Sequence, residues 1–119
     1  MINLDTHLLV FALTGEVTPR ERRVLQANRW GISAIVFWEL AKLVELRRLG
    51  LELGDTEVTR TLASLQVWPI DLAISRQSTA LDFSGDPADE LIAATSVVYS
   101  VPLLTRDRRI RRSRVVPFA

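Results

Sequence analysis

The sequence predicts one α/β domain with a central parallel sheet between helices. Its 119 residues, 48% hydrophobic and 24% charged, have the composition of one compact globular domain. Short apolar runs alternate along the chain with longer segments of helical periodicity. Strands separated by helices need parallel crossover connections, which place helices on both faces of a sheet. With no internal repeat or linker-like segment, we predict a single domain over residues 1–119.

The predicted strands are the short apolar runs at residues 1–4, 32–34, 67–70 and 102–105. Residues 115–118 are predicted to add a last edge strand. Pro69 lies inside one of these runs and has no amide proton for a ladder bond, which suits a strand at the edge of the sheet.

Two helix starts are predicted from their capping residues. Thr18 precedes Pro19, with Glu21 at the capping-box position, and Asp86 precedes Pro87 in the same way, with Asp89 as the acid of its first turn. One further helix is predicted to end near residue 15. Three more are predicted to span about 35–49, 55–65 and 72–81. The helix that starts at residue 86 runs to about residue 100.

The composition excludes several classes of site. There is no cysteine, which rules out disulfides, thiolate metal sites and cysteine nucleophiles. Apolar runs such as residues 34–38 are far shorter than the ~20 residues that cross a bilayer, and the first residues lack the basic start of a signal peptide. We therefore expect a soluble cytoplasmic protein without a membrane partner.

The net charge of +1 is the sum of a basic segment and an acidic remainder of the chain. Residues 106–114 hold six arginines and one aspartate, whereas the other 110 residues hold nine basic and thirteen acidic side chains. A basic strip beside an acidic body suits a protein that meets a polyanion, although a solvated arginine-rich terminus explains the asymmetry equally well.

Two aspartates follow predicted strands directly. Asp5 comes after the first apolar run, and Asp107 after the run that ends at residue 105. In open parallel sheets the carboxyl ends of the strands form one crevice, so both side chains are expected there if the strands are neighbours. Either one alone is explained equally well as a loop or N-cap aspartate.

Glu39 interrupts an apolar stripe. Its helical neighbours are Ile35, Val36, Leu43 and Leu46, so its carboxylate is expected to be half-buried. Such a carboxylate needs a partner, a proton or a cation. The alternative to a functional role is a structural ion pair with Lys42 or with an arginine of another element.

The acids at residues 86–90 have different expected roles. Asp86 is explained by helix capping. Asp89 shares a helix face with Ile92, Ala93 and Ser96. This face, with its small residues, suits close packing on the sheet, so the Asp89 carboxylate is expected to point over the sheet edge. We expect Glu90 to be exposed.

Carboxylates converging in one crevice repel each other, and a divalent cation relieves that repulsion. Oxygen ligands, without cysteine or a usable histidine pair, favour Mg²⁺ or Mn²⁺ over zinc. Such a site holds a phosphodiester and activates a water molecule, while the neighbouring arginines grip nucleic-acid phosphates. The acids expected to converge are Asp5, Glu39, Asp89 and Asp107.

The sequence resembles PIN-domain ribonucleases, specifically the VapC-type toxins of bacterial toxin–antitoxin pairs, in order and spacing over essentially the whole chain. The segments that carry the resemblance are residues 5–7, residues 32–39, the run from Gly85 to Thr95, and Thr105-Arg106-Asp107. It implies a three-layer α/β/α PIN fold and a Mg²⁺-dependent endoribonuclease. Glu90 and Ser96 depart from the family pattern, where a basic residue and alanine are usual.

By motif position, the resemblance makes Asp5, Glu39, Asp89 and Asp107 the catalytic and metal-binding acids. Asp86 is either a helix cap or a water-mediated ligand, and Thr105 lies beside the metal shell. Arg106, Arg108 and Arg109 are expected to bind RNA. A homodimer is implied, and a higher assembly with a cognate antitoxin whose peptide covers the groove and often places a basic side chain in the acidic site.

Two other functions fit part of the pattern. A catalytically silent PIN-like module that binds nucleic acid or protein is the main alternative. A receiver-type signalling domain needs a lysine late in the chain, and Lys42 is the only lysine.

The helix over residues 35–49 is apolar on more than one side, which indicates a dimer or antitoxin partner. Trp30, Trp38 and Trp68 are expected in the core or an interface.

Overall fold

The computed structural model describes residues 1–48, 50, 52 and 54–119. In this part of the chain four strands form one sheet of order β3-β2-β1-β4, and every neighbouring pair is parallel. The α/β class and the parallel sheet are therefore confirmed. The strands are β1 (Ile2–Leu4), β2 (Trp30–Ser33), β3 (Gln66–Trp68) and β4 (Leu103–Leu104).

Helices flank the sheet. Both starts predicted from Pro at the first helical position are present, and Thr18 and Glu21 form a reciprocal capping box. The described helices are α1 (Thr6–Thr14), α2 (Pro19–Ala27), α3 (Ile35–Glu45), α4 (Thr56–Ser64), α5 (Leu72–Ser78), α6 (Pro87–Tyr99) and α7 (Arg108–Arg111). In the described residues, no helix has the length and apolar character needed to span a membrane.

Two predicted helix ends are wrong. The helix predicted to reach residue 49 ends at Glu45, because Arg47 takes a left-handed conformation with φ 55°; residue 49 itself lies outside the described residues. The helix predicted to reach residue 81 ends at Ser78.

The last edge strand, predicted over residues 115–118, is only a single parallel bridge between Leu103 and Phe118. Pro117 has no amide proton, and β4 is two residues long, so a longer ladder does not form.

Strand β1 lies at the centre of the molecule, and all three of its residues are buried. Its apolar side chains join a core that includes Leu8, Ile32 and Ile92; burying each such side chain stabilises the fold by about 1.5–3 kcal/mol. Asn3 is the polar member of the strand, and its Nδ2 donates to the Ile92 carbonyl (3.0 Å) and to Ser96 Oγ (2.9 Å). These bonds fix α6 against β1, which holds its first turn at the carboxyl edge of the sheet.

An ion pair between exposed Arg106 and buried Glu21 ties the chain that leaves β4 to α2. Arg106 Nε and Nη2 donate to the two carboxylate oxygens of Glu21 at 2.8 and 2.6 Å, and its guanidinium lies 4.1 Å from the ring centroid of Phe11. Glu21 is buried. The hydrogen bond from Arg106 is the main reason why the pKa of Glu21 is lowered to about 2.

We predict that Glu21→Gln lowers stability at neutral pH by about 1–3 kcal/mol, the usual loss for a hydrogen bond to a charged group. The folded pKa of Glu21 is lower than its usual 4.5, so its contribution is present above pH 4.5 and is lost as the pH falls towards 2. The decrease in Tm over that interval is therefore expected to be smaller in Glu21→Gln than in the wild type.

Thermal melts between pH 2 and 7 measure this difference. Glu57→Gln, which changes an exposed first-turn glutamate of α4, is the matched control. Parallel Tm curves for wild type and Glu21→Gln would contradict the assignment.

Candidate active site

Five carboxylates line one cavity at the carboxyl edge of the sheet. We call it the acid cavity; its volume is about 440 Å³. It brings together all four acids expected from the sequence, and Asp86 with them. The lining residues are Asp5, Thr6, His7, Leu8, Phe11, Glu39, Asp86, Asp89, Arg106 and Asp107.

Asp5 is the most buried of these acids and has both carboxylate oxygens fixed. Oδ1 accepts the Leu8 amide at 2.8 Å, which caps α1, and Oδ2 accepts the Thr105 hydroxyl. Burial raises the pKa of Asp5, while the bonds from Thr105 and Leu8 act against that rise. Asp5 is thus a helix cap and a site residue at once, since one oxygen performs each role.

Thr105 joins two of the acids. Its hydroxyl donates to Asp5 and accepts the amide of Asp107 at 3.0 Å. Asp107 Oδ1 in turn accepts the amides of Arg109 (2.9 Å) and Ile110 (3.0 Å), which caps α7. Thr105, expected beside the site on the basis of the family pattern, therefore sets the spacing between the ends of β1 and β4.

Glu39 is half-buried, as its apolar stripe predicts. Its partner is the Thr6 hydroxyl, which donates to Oε1. The ion pair considered for it does not form, because Lys42 pairs with Glu45 at 3.4 Å. Glu39 thus lines the acid cavity without an ion-pair partner among the described side chains.

Asp89 is half-buried at the start of α6. Burial, together with the charges of Asp107, Glu39, Asp86 and Asp5, raises its pKa to about 6. The expected orientation of Asp89 over the sheet edge is in accord with this. The four charges that act on the pKa of Asp89 are those of the other acids lining the cavity, as expected for repulsion in a shared cavity.

Two expectations about neighbouring acids are wrong. Asp86 has the backbone position of an N-cap, but its side chain makes no capping hydrogen bond; its carboxylate is exposed and lines the acid cavity instead. Glu90 is half-buried rather than exposed.

The donor set suits a hard divalent cation. Across residues 1–48, 50, 52 and 54–119, no three acidic or histidine side chains are already arranged to hold an ion. Mg²⁺ does not need such a cage, because it keeps several of its waters and is commonly bound through one or two carboxylates. The all-oxygen lining and the mutual repulsion of the acids therefore fit Mg²⁺ or Mn²⁺.

The three arginines expected to bind RNA are placed differently. Arg106 lines the acid cavity, but its guanidinium is held by Glu21 and by the Glu16 carbonyl (3.0 Å). Arg108 and Arg109 are exposed and share a second cavity, about 480 Å³, with Asp86, Asp89 and Asp107. Arg109 makes one bond, to the Ser84 carbonyl at 3.3 Å. Both arginine heads thus stand at the rim of the acids without a carboxylate partner among the described side chains.

An apolar groove of about 530 Å³ adjoins the acid cavity on its other side. Trp38 of α3, 56% exposed, forms one wall, and Leu91 of α6 lines it as well. Glu39 and Asp86 line both the groove and the acid cavity. Of the three tryptophans expected in the core or an interface, Trp68 is buried, Trp30 is half-buried and Trp38 lies open on this surface.

Sequence reasoning missed the contribution of Thr6. Thr6 follows Asp5 and is the first residue of α1. Its hydroxyl orients the side chain of Glu39, which belongs to α3 and lies 33 residues later in the chain. The signal was a hydroxyl within the motif Asp5-Thr6-His7. His7 is exposed and also lines the acid cavity.

The comparisons with known proteins agree with this geometry. The family model of the PIN domain matches residues 2–115. Ribonuclease VapC22 of Mycobacterium tuberculosis is 36% identical over 92 residues, which cover 74% of this chain and 70% of that protein.

Solved structures share the fold. VapBC2 from Rickettsia felis, bound to a DNA fragment from its promoter, has a TM-score of 0.71 at 18% identity, covering 100% of this chain and 98% of that one. FitAcB from Neisseria gonorrhoeae has a TM-score of 0.68 at 21% identity, covering 100% and 97%. The resemblance found in the motifs is thus confirmed, and this chain belongs to the PIN domain family, in which it is related to the VapC ribonucleases.

Proposed function

We propose that the protein is a Mg²⁺-dependent endoribonuclease toxin that hydrolyses RNA phosphodiester bonds in the cytoplasm. The observation that carries the proposal is the acid cavity, where five carboxylates meet beside exposed arginines. Its relative in Mycobacterium tuberculosis is named a ribonuclease, which supports RNA as the substrate.

Asp5, Glu39, Asp89 and Asp107 are the residues that would hold the cation, with Asp86 as a water-mediated contact at the mouth. When bound, Mg²⁺ or its substitute Mn²⁺ lowers the pKa of a water molecule and stabilises the charge of the leaving oxygen. The oxygens of these acids supply the negative charge that the cation requires.

The remaining side chains position these acids and the substrate. Thr105 and the Leu8 amide hold Asp5 in one orientation, and Thr6 does the same for Glu39. Fixed ligands need no reorganisation during the reaction. Arg108 and Arg109 bind backbone phosphates of the RNA at the rim and offset the charge of the acids beside them.

A cognate antitoxin is the proposed regulator, since several similar structures are toxin–antitoxin complexes. The apolar groove beside Trp38 suits an amphipathic antitoxin segment, and a basic side chain extending from that segment would reach the acids at its edge. Phe37 of α3 and Leu46, the residue after its last position, are also exposed, and we assign them to the homodimer contact. The two together give a higher assembly of toxin dimer and antitoxin.

We predict that Asp5→Asn lowers RNA cleavage by more than about 100-fold, because it removes a charge that the cation needs. The fold is expected to persist. The amide keeps an oxygen for the Leu8 amide, and the Thr105 hydroxyl can turn to accept from the new nitrogen. Cleavage of a labelled single-stranded RNA with Mg²⁺, with and without EDTA, measures the effect.

Asp71→Asn is the matched control, because Asp71 caps α5 through the Ile74 amide as Asp5 caps α1, outside the acid cavity. Cleavage that survives EDTA or Asp5→Asn would contradict the mechanism. Absence of cleavage by the wild-type protein, with RNA still bound, would favour the silent binding module.

We predict that Asp89→Asn raises stability at pH 7 in the presence of EDTA. The folded pKa of Asp89, about 6, lies above its usual 3.8. Its stabilising contribution is therefore fully present below pH 3.8 and is lost as the pH rises through 6. For a half-exposed group we expect a gain of about 1 kcal/mol in the variant after solvent screening, equivalent to about 4 °C in Tm.

Thermal melts from pH 4 to 8 check this, with Asp55→Asn as control, an exposed N-cap of α4. The gain is expected to shrink on addition of Mg²⁺, which offsets the repulsion in the wild type. A lower Tm for Asp89→Asn at pH 7 would show that the acids do not repel one another in the folded protein.

For the antitoxin, we predict that Trp38→Ser weakens the complex with the cognate antitoxin by about 10-fold or more, because an aromatic anchor that the complex would bury is lost. Co-expression and titration calorimetry measure the affinity. Leu72→Ser, at a residue of α5 that is 64% exposed, is the control. Equal affinities for wild type and Trp38→Ser would exclude the apolar groove as the docking site.

A further inference from the structure

A third cavity beside the acid cavity has the opposite charge. We call it the basic pocket; its volume is about 510 Å³. Four arginines line it: Arg20 of α2, Arg106, and Arg108 and Arg111 of α7. Glu21 is the one acid in its lining, and Arg106 already occupies both oxygens of that carboxylate. The other three positive charges are therefore not compensated within the pocket.

The heads of Arg20 and Arg111 are positioned by main-chain oxygens and an aromatic ring rather than by side-chain carboxylates. Arg20 Nη2 donates to the main-chain oxygen of Ala119 at 2.8 Å. Arg111 Nη1 donates to the Thr105 carbonyl at 3.2 Å, and its guanidinium lies 5.4 Å from the ring centroid of Phe118. A guanidinium has five N–H donors, so each head retains several for a ligand. Among the described residues, no side-chain carboxylate forms an ion pair with Arg20, Arg108 or Arg111.

The basic pocket is continuous with the proposed catalytic centre. Arg106 lines both this pocket and the acid cavity, and Arg108 lines both this pocket and the rim cavity that holds Asp89 and Asp107. An extended polyanion with one phosphate at the acids would therefore pass Arg106 and place its next phosphates among the arginines. Free guanidinium groups in such a place are typical phosphate ligands.

We propose that the basic pocket binds an RNA backbone phosphate next to the cleaved one, with Arg20 and Arg111 as its distinguishing ligands. This inference rests on the proposed function and deepens it. It assigns one side of the scissile bond to the basic pocket, so the enzyme requires a substrate that extends in that direction. The strip of residues 106–114 alone does not form this site, because Arg20 comes from a helix near the start of the chain.

The first experiment measures binding without catalysis. A fluorescent single-stranded RNA of twelve nucleotides is titrated in EDTA at several KCl concentrations, with wild type and with the double variant Arg20→Gln/Arg111→Gln. Each lost phosphate contact lowers the slope of log K against log salt by about 0.7 for single strands. We expect the double variant to bind at least about 5-fold more weakly in low salt, with a slope smaller by about 0.7.

Two further variants guard against a mere loss of structure. Arg20→Lys/Arg111→Lys retains the charge and is expected to restore most of the salt slope. Arg60→Gln/Arg76→Gln changes exposed arginines of α4 and α5 and is expected to bind like the wild type. A glutamine double variant with wild-type affinity and slope overturns the proposal, and so does a lysine variant as weak as the glutamine one.

Two additional arms separate this proposal from others. If the Arg20→Gln/Arg111→Gln variant loses affinity for inorganic pyrophosphate but not for the RNA, the pocket is a free-anion site and the RNA assignment is wrong. With Mg²⁺, the preference of the wild type for a twelve-nucleotide RNA over a dinucleotide, in kcat/KM, is expected to fall in the double variant. If the wild-type protein binds RNA with the expected salt slope but cleaves none, the proposed function is refuted, while the assignment of the basic pocket to an RNA phosphate is retained.

Discussion

The hydrogen bonds of Asp5 connect the elements on which the rest of this structure depends. One carboxylate oxygen begins α1 through the Leu8 amide, and the other receives the hydroxyl of Thr105 at the end of β4. Thr105 then holds the amide of Asp107, the cap of α7. A single buried acid thus joins two parallel strands and the starts of two helices. The capping and the proposed catalytic roles are therefore served by the same geometry.

The cost of this arrangement is electrostatic. Asp5 and Asp89 are both harder to ionise than usual, chiefly because of burial, and the neighbouring acids act in the same direction. No cation among the described side chains neutralises Glu39, and Arg106, the nearest guanidinium in the cavity lining, is committed to Glu21. Repulsion left unresolved by the protein is typical of a site that gains its balance from a ligand. Under the proposed function, the charges that lower stability without a cation would supply the affinity for one.

Much of the architecture could be predicted from local signals. Pro at the first helical position, with Thr18 and Asp86 before it, marked two helix starts correctly, because capping is decided within a few residues. Helix ends such as Glu45 and Ser78 were missed, since they depend on backbone conformation further along the chain. Among site residues, motif spacing identified the four acids. The partnership of Thr6 with Glu39 and the contribution of Arg20 depend on contacts between distant segments, which no periodicity reveals.

Three surfaces of different chemistry meet at the acids, and together they give the site a direction. The apolar groove beside Trp38 shares Glu39 and Asp86 with the acid cavity, whereas the basic pocket shares Arg106 with it. A polyanion gains little from the apolar groove and much from the basic pocket, so its backbone is drawn to one side of the acids. An amphipathic segment has the reverse preference. Under the proposed function, RNA and an antitoxin segment would therefore use different surfaces and would compete at the acid cavity, which adjoins both.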